Sequence, residues 1–400
     1  MVKITPSLLF PVLSFSIISL FFFLIPSSSP NSLRRRRHHF SLPSSTLPAN
    51  LYPPPPRIAY FIYGSVKEGP RIFRLLQASY HPRNFYLLHL DNHASKEERE
   101  WLARMVGSIG VFVEAENVFV MGRGNPVREE GSTPLALLLQ AAAILLKTCT
   151  DWDWFVNLHA SDYPLITQDD FLHIMSSVPR NLNFIEHTSN ISSSDQQRIL
   201  EVIVDPDIYL AKGRMFVGNK KRDPPTAYKI FTGSPHMILS RQLIEFSILG
   251  WDNLPRKLLL FFTNIQHPGR DYFQTLSCNS KEFFRTVVNS NLQFEELGEP
   301  QSVSLSDLDK MLLSGAAFAR KFSANEHVLD AIDSRVLRRR HRSVSPGGWC
   351  VGKPGWLGGD PCEVWGDMNI LRPGLGSKAF ERLLLGTLKL DRCVHQSALS

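Results

Sequence analysis

Three short polar clusters each close a run of apolar residues: Tyr63-Gly64 after IAYFI, His89-Leu90-Asp91 at the end of NFYLLHLD, and His159 with Ser161-Asp162 after WFVNL. Runs of this length and composition are buried strands, and ligands of open α/β sheets bind outside the carboxyl ends of strands. The three clusters are therefore expected to face one crevice. His159, Ser161 and Asp162 are the residue types of a hydrolytic triad, but on one short segment they cannot reach triad geometry with one another. No Gly-x-Ser-x-Gly elbow occurs either. Asp151-Trp152-Asp153 has a spacing that can hold a divalent metal against a diphosphate. It precedes its strand, at the end away from the crevice, so a structural role at the strand entrance is expected. Asp205-Pro206-Asp207 and Asp307-Leu308-Asp309 are weaker instances of the same spacing. The glycines at 122, 124 and 131 form no phosphate loop, because no Walker lysine follows and no GxGxxG opens the first helix.

Apolar periodicity supplies the elements that must position these residues. A strand over 58–63 leads through Pro70 into a helix reaching Tyr80, with Ile72, Leu75, Leu76 and Ser79 on one face, and then a strand over 85–90. This βαβ opening implies a parallel sheet with a right-handed crossover. Short strands are expected over 111–113 and 118–120, then an apolar helix over 133–147 with Thr133-Pro134 at its start, where proline is tolerated. A buried strand over 155–158 and a helix over 169–176 opening on acidic residues follow. Beyond them come strands over 183–185 and 228–231, a turn at Thr232-Gly233-Ser234, and helices over 240–249, 272–277, 306–313 and 378–388. From Asp333 the chain is Arg-rich, then Gly/Pro-rich, and no internal repeat is visible.

With 400 residues, 43% of them hydrophobic, the chain can bury one large α/β domain and still carry appendages. The formal charge is +7, but Lys3 and Arg34 to Arg37 supply five of those charges. The rest of the chain is nearly neutral, which argues against nucleic acid as a partner. Residues 7–25 carry no charge and just suffice to cross a bilayer core of about 30 Å. They read equally as an uncleaved anchor and as a cleaved signal peptide. The arginines that follow run against a lumenal catalytic domain on the positive-inside rule. The Ser/Pro/Arg/His-rich stretch up to the prolines at 53–56 is an extended stem. Five cysteines without a CxxC pair speak against a zinc ribbon. A bridge between Cys350 and Cys362, closing a Gly/Pro/Trp-rich loop, suits an oxidising lumen. Cys149, on an apolar helix, is expected as a buried free thiol. Asn190-Ile191-Ser192 is a glycosylation sequon.

RIAYFIYG, RLLQASYHPRNFYLLHLD, NLHASDYPL, FTGSPHMILSR and DLDKM…FARKF, in this order and spacing, resemble glycosyltransferase family 14. The likeness runs from about Arg57 to Cys362 and is greatest to the plant β-glucuronosyltransferase branch. Other members are the core-2/I-branching β-1,6-N-acetylglucosaminyltransferases. The resemblance implies an α/β fold, a GT-A-type domain over 57–330 with a mixed, mainly parallel sheet and helices on both faces. Around it come a cytosolic tail at 1–6, a transmembrane signal-anchor at 7–26, a stem at 27–56 and a small disulfide-containing extension at 331–400. It also implies a single-pass type II Golgi membrane protein with a lumenal catalytic domain and association with other Golgi transferases. The implied reaction is inverting and uses no metal or other cofactor: a sugar, glucuronate, passes from a UDP-sugar to galactan chains of arabinogalactan proteins. Transfer of N-acetylglucosamine or xylose is the alternative within enzymes, and a weakened member binding glycan or a partner transferase is the alternative of another class.

Carried over residue by residue, the likeness makes Tyr63 and Asp91 nucleotide contacts. Lys321, with Arg320 beside it, would stabilise the leaving diphosphate in place of a cation. A further arginine of the family pattern falls at Gln301. Glu186 and Arg198 correspond to acceptor contacts. The family base is the Glu of Glu-x-x-Phe/Trp-x-Thr, and this chain reads Arg270-Asp271-Tyr272-Phe273-Gln274-Thr275. The adjacent carboxylate, Asp271, is therefore expected to accept the proton from the start of a helix, where an anion is stabilised.

Overall fold

A computed structural model describes residues 54–211, 213–250, 252–295, 303–323, 327–352, 360–389 and 393. The expected tail and anchor, the stem up to residue 53, and Gln301 lie outside these residues. Among the described residues no helix is long and apolar enough to cross a membrane.

Strands occur in chain order as β1 (Ile58–Gly64), β2 (Phe85–Leu90), β3 (Val118–Val120), β4 (Trp154–His159), β5 (Tyr163–Pro164) and β6 (Asn183–Phe184). They continue as β7 (Glu201–Val204), β8 (Phe216–Lys221), β9 (Ile238–Ser240), β10 (Val287–Val288), β11 (Gln293–Glu295) and β12 (Phe318–Arg320). Seven of them form one sheet in the order β10-β6-β9-β4-β1-β2-β3. β1 pairs in parallel with both β2 and β4, while β9 runs antiparallel between β4 and β6. The result is a mixed α/β fold with a mostly parallel sheet. The chain moves from β1 outward to β2 and β3 and then returns to β4 on the other side. Between β1 and β4 the strand order therefore reverses, and a crevice opens beyond the carboxyl ends of such a pair.

The sheet is buried on both faces, as its continuous apolar runs require. Ile58, Tyr60 and Ile62 enter one core cluster and Ala59 and Phe61 the other, following the period of two. Several helices begin on hydroxyl caps: Ser95, Thr167 and Ser192 each accept the backbone N–H three residues on. Periodicity gave no warning of the Lys96–Gly107 helix, whose buried residues are only Leu102 and Val106.

Two expected strands are corrected. Residues 111–113 lie in a helix, Gly110–Ala115, whose Val111 and Phe112 are buried. Their β-branched side chains carry less weight than the packing of that short helix. Residues 228–231 are not a strand, because the adjacent Tyr272–Asn279 helix satisfies their backbone. The Thr275 hydroxyl accepts from Phe231 N–H and donates to its carbonyl, both at 3.1 Å, and the Asn279 amide does the same for Lys229.

The segment after residue 331 borrows its core. Trp349, Cys350, Cys362, Phe380 and Leu384 join the cluster that contains Tyr60 and Phe171. Buried Asp169 anchors it by accepting the N–H groups of Gly348 and Arg372, each at 2.7 Å. Cys350 is bridged to Cys362, and Cys149 is free and buried. A second bridge, Cys278 to Cys393, ties the chain end to the Tyr272–Asn279 helix and had no sequence signal.

Candidate active site

The ends of β1, β2 and β4 meet as the parallel register requires, with Tyr63 opposite both His89 and His159. Tyr63 stacks on Phe61 and meets the edge of His159 with ring centroids 5.2 Å apart. Burial, and then the nearby Asp162, raise its phenol pKa, so the ring stays neutral. Asp91 follows β2 and is 4% exposed. Its carboxylate accepts the N–H groups of His93 and Ala94 and pairs with the His93 ring at 3.2 Å. Gly124 passes so close that an added Cβ would meet the Asp91 carbonyl at 2.6 Å, which accounts for the glycines of that turn.

Beyond β4 the polar turn is local and no catalytic relay. His159 Nδ1 bonds Ser161 Oγ at 2.8 Å, while Asp162 accepts the His159 backbone N–H and not its imidazole. Asp162 is buried beside Arg320 Nε at 3.8 Å and His236 Nδ1 at 3.6 Å. Asp162 Oδ1, Arg320 Nε and His236 Nδ1 all lack a hydrogen-bond partner. Such buried orphans are rare in folded proteins and mark functional positions. Burial lifts the Asp162 carboxyl while Arg320 opposes the shift, and burial holds His236 well below its ordinary pKa and hence neutral.

Arg320 ends β12, and the next residues are stitched to this strand end because Phe322 N–H donates to Ser161 O at 2.9 Å. Lys321 is thereby set beside the β4 end. Its carbonyl accepts Val303 N–H at 3.0 Å, whereas its side chain is exposed and makes no hydrogen bond or ion pair among the described residues. Arg320 reaches Glu295 of β11 at 3.5 Å. Glu295 in turn stands within electrostatic range of Glu186, which also feels Arg270. Burial first, and then Glu295, raise the Glu186 carboxyl above the ordinary carboxylate range, with Arg270 pulling the other way. These contacts link the β1, β2 and β4 ends to Glu186 and Arg270.

The turn Thr232-Gly233-Ser234 holds Glu186 and Arg270 together. Gly233 N–H donates to Arg270 O at 2.8 Å, and an added Cβ would strike the Glu186 carbonyl, so only glycine fits. Buried Asn157 of β4 pins the turn by donating to Pro235 O and accepting Met237 N–H. Arg270, at the family base position, is part-exposed and lies 4.0 Å from Asp195.

Asp271 and Arg198 receive a different arrangement from the expected one. Asp271 is 0% exposed, and Arg198 Nη1 and Nη2 meet its two oxygens at 2.8 and 2.9 Å. Its side chain does not cap the following helix. Arg198 also bonds Gln266 O and Asp195, leaving its side chain 9% exposed. The pair is a buried brace beneath the cleft, so Asp271 is closed to an acceptor hydroxyl and Arg198 to an acceptor sugar. The physical reason is pairing across the fold: a carboxylate this deeply buried takes a guanidinium in preference to a helix terminus. Asn190 is exposed, as a sequon requires. His236 and Glu295 were missed because they reach the cleft from separate elements and carry no local motif.

Asp151 and Asp153 stand at the opposite end of the sheet. Asp153 accepts Arg57 N–H at 2.8 Å and Asp151 pairs with the Arg57 guanidinium at 2.7 Å, closing the entrances of β1 and β4. Asp205 and Asp207 are engaged by Arg128, and Asp307 completes a capping box with Ser304.

A family model described as Core-2/I-branching enzyme matches residues 58–298. The chain is 46% identical to β-glucuronosyltransferase GlcAT14A of Arabidopsis thaliana, over 85% of this chain and 77% of that one. It is 48% identical to GlcAT14C of the same plant, over 70% and 74% respectively. It is 25% identical to rat xylosyltransferase 1, over 74% of this chain and 37% of the relative. A match that spans every strand of the main sheet, with relatives this similar over most of their length, means that the chain belongs to the Core-2/I-branching enzyme family, glycosyltransferase family 14.

Proposed function

We propose that this protein is an inverting β-glucuronosyltransferase that moves glucuronate from UDP-glucuronate to galactan chains of arabinogalactan proteins. Its relatives GlcAT14A and GlcAT14C, named for this transfer, support the donor. The observation that carries the reading is the group of unspent polar atoms at the point where strand order reverses: the Lys321 ammonium, without a partner among the described residues, near the unpaired Asp162 Oδ1, Arg320 Nε and His236 Nδ1. The fold is of the GT-A type. Tyr63 and Asp91 hold the nucleotide, and Lys321 with Arg320 neutralise the diphosphate, so the transfer runs without a metal. In the Golgi lumen the enzyme is held by an anchor at 7–26, carries a glycan on Asn190 and associates with other transferases.

In the reaction an acceptor galactose hydroxyl attacks C1 of glucuronate from the face opposite UDP. The C1–O bond to the diphosphate breaks, its electron pair stays on the β-phosphate oxygen beside Lys321, and the configuration at C1 inverts. The hydroxyl proton goes to Glu186, the carboxylate open to the cleft. Its raised pKa makes it a better base than an ordinary carboxylate, and Arg270 opposes the rise. Activity should accordingly rise with pH as Glu186 ionises, above the ordinary carboxylate range.

The test is incubation of the purified enzyme with a panel of UDP-sugars and β-galacto-oligosaccharides. Glucuronate transfer is expected, with Glu186→Gln slower by about 10²–10⁴-fold at unchanged UDP affinity. A fully active Glu186→Gln removes the base assignment, and preference for another UDP-sugar removes the donor. UDP binding with no transfer from any donor favours a glycan-binding member of the family, for which Arg270 at the base position is the observation.

A further inference from the structure

Away from the cleft, a cavity of about 420 Å³ lies between the chain after β5 and the starts of the last segments. Its volume falls in the range of small-molecule sites, roughly 300–1,000 Å³. Leu312, Leu337 and Ala379 contribute apolar wall, and Arg335, Arg338 and Arg372 are cationic lining. None of the residues assigned above to donor or acceptor lines it.

The arginines are left in excess by the way this Arg-rich segment is held. Its anchoring acid, Asp333, is fully used: Arg339 binds both its oxygens at 2.6 and 3.0 Å, and Arg74 and Tyr163 add bonds of 2.8 and 2.5 Å. Arg335 and Arg338 are exposed and make no side-chain hydrogen bond or ion pair among the described residues. Two carboxylates also line the cavity. Asp169 Oδ1 has no hydrogen-bond partner and is buried 3.6 Å from His81 Nε2, while the other three carboxylate oxygens are engaged. Asp169 Oδ2 holds the N–H groups of Gly348 and Arg372, and Asp170 holds Gly374 N–H and the Thr167 hydroxyl. Arg372 lies within electrostatic range of Asp169 and is partly balanced by it. Arg335 and Arg338 have no such balance.

We propose that this cavity is a second carbohydrate site, which takes an acidic glycan by placing its carboxylate on Arg335 and Arg338 and its sugar ring faces on the apolar wall. Guanidinium groups match carboxylates bidentately, and the C–H faces of pyranose rings suit aliphatic side chains. That the anion is a glucuronate rests on the function proposed above, whereas anion binding itself does not. Such a site retains a chain that already carries glucuronate while the cleft modifies a neighbouring galactose.

The experiment is calorimetric titration of the full chain, saturated with UDP so that the donor part of the cleft is filled. The acceptor part binds the neutral and acidic titrants alike in wild type and in the arginine variants. The titrants are a β-1,6-galactotetraose bearing one terminal glucuronate, its neutral parent, and inorganic sulfate. The acidic oligosaccharide should bind at least tenfold more tightly than the neutral one. Arg335→Ala with Arg338→Ala should weaken it at least tenfold while leaving UDP affinity and initial transfer to a neutral acceptor unchanged. Arg335→Glu with Arg338→Glu should abolish it. Both pairs are exposed, and equal melting temperatures would verify folding. Equal binding by the alanine variant, or by the neutral oligosaccharide, overturns the proposal. So does displacement by sulfate at the affinity of the whole oligosaccharide, which would mean an anion site with no sugar contacts. Acidic-glycan binding that persists when no donor is used defeats the function proposed above and leaves this site standing.

Discussion

Replacing Arg198 by methionine keeps most of the side-chain volume and removes the charge together with its hydrogen bonds to Asp271, Asp195 and Gln266 O. Asp271 then remains fully enclosed with no cation against it. Breaking one side of a buried ion pair costs about 3–5 kcal/mol, because the residual charge is uncompensated. For a folded body of this length, an unfolding entropy of about 2.1 cal/mol/K per residue turns that loss into a fall in Tm of about 4–7 °C near pH 7.5. The loss should depend on pH with a definite sign. Burial already pushes the Asp271 carboxyl up and Arg198 opposes that shift, so without the arginine its folded-state pKa rises further. An acid whose folded pKa lies above its unfolded value is least costly at low pH. Its stability is lost as pH climbs from the unfolded to the folded pKa. The gap in Tm between variant and wild type should therefore shrink on acidification as Asp271 takes a proton. Adding Asp271→Asn to Arg198→Met should recover much of the loss, because an amide carries no charge to bury. Thermal melts of these three proteins between pH 4.5 and 7.5 decide the matter. A pH-independent loss, or no recovery in the double variant, refutes the view that the pair is a charge-compensated brace.

Lys321→Met should raise KM for the UDP-sugar and weaken UDP about tenfold or more, with less salt dependence than wild type, because a free ammonium and its field are lost. Unchanged UDP affinity in a direct titration would remove Lys321 from the donor site. Activity should survive EDTA, and Asp153→Asn should lower Tm while leaving the chelator result unchanged, since Asp153 is spent on Arg57. Manganese-restored activity after chelation would revive the DxD reading. Peptide mapping without reduction should return Cys350 linked to Cys362 and Cys278 linked to Cys393, with Cys149 unlabelled until unfolding. In the chain-entropy model the short Cys350–Cys362 loop contributes about 3 kcal/mol, read as a lower Tm in Cys350→Ser with Cys362→Ser. Free thiols at either pair in the native protein would contradict the pairing.

Much of what depends on near neighbours along the chain was legible in the residues alone, although the helices at Lys96–Gly107 and Gly110–Ala115 were not. Continuous apolar runs told β1, β2 and β4 from helices, and the polar residues that close them marked Tyr63, Asp91 and Asp162 as facing one crevice. The place of Asp151 and Asp153 before their strand was enough to assign them to its entrance, and the ordered motifs were enough for the family. Only the tertiary structure decided which charges remain available. Asp271 and Arg198 are 73 residues apart, and no local pattern shows that they cancel one another. Asp333 consumes Arg339 and Arg74 from different elements, so the same segment leaves Arg335 and Arg338 unbalanced. His236, Glu295 and Arg320 converge on Asp162 and Glu186 through separate strands and turns. Backbone preference and burial pattern act over a few residues, whereas the fate of a buried charge is set by whichever group the fold brings within a few ångströms of it.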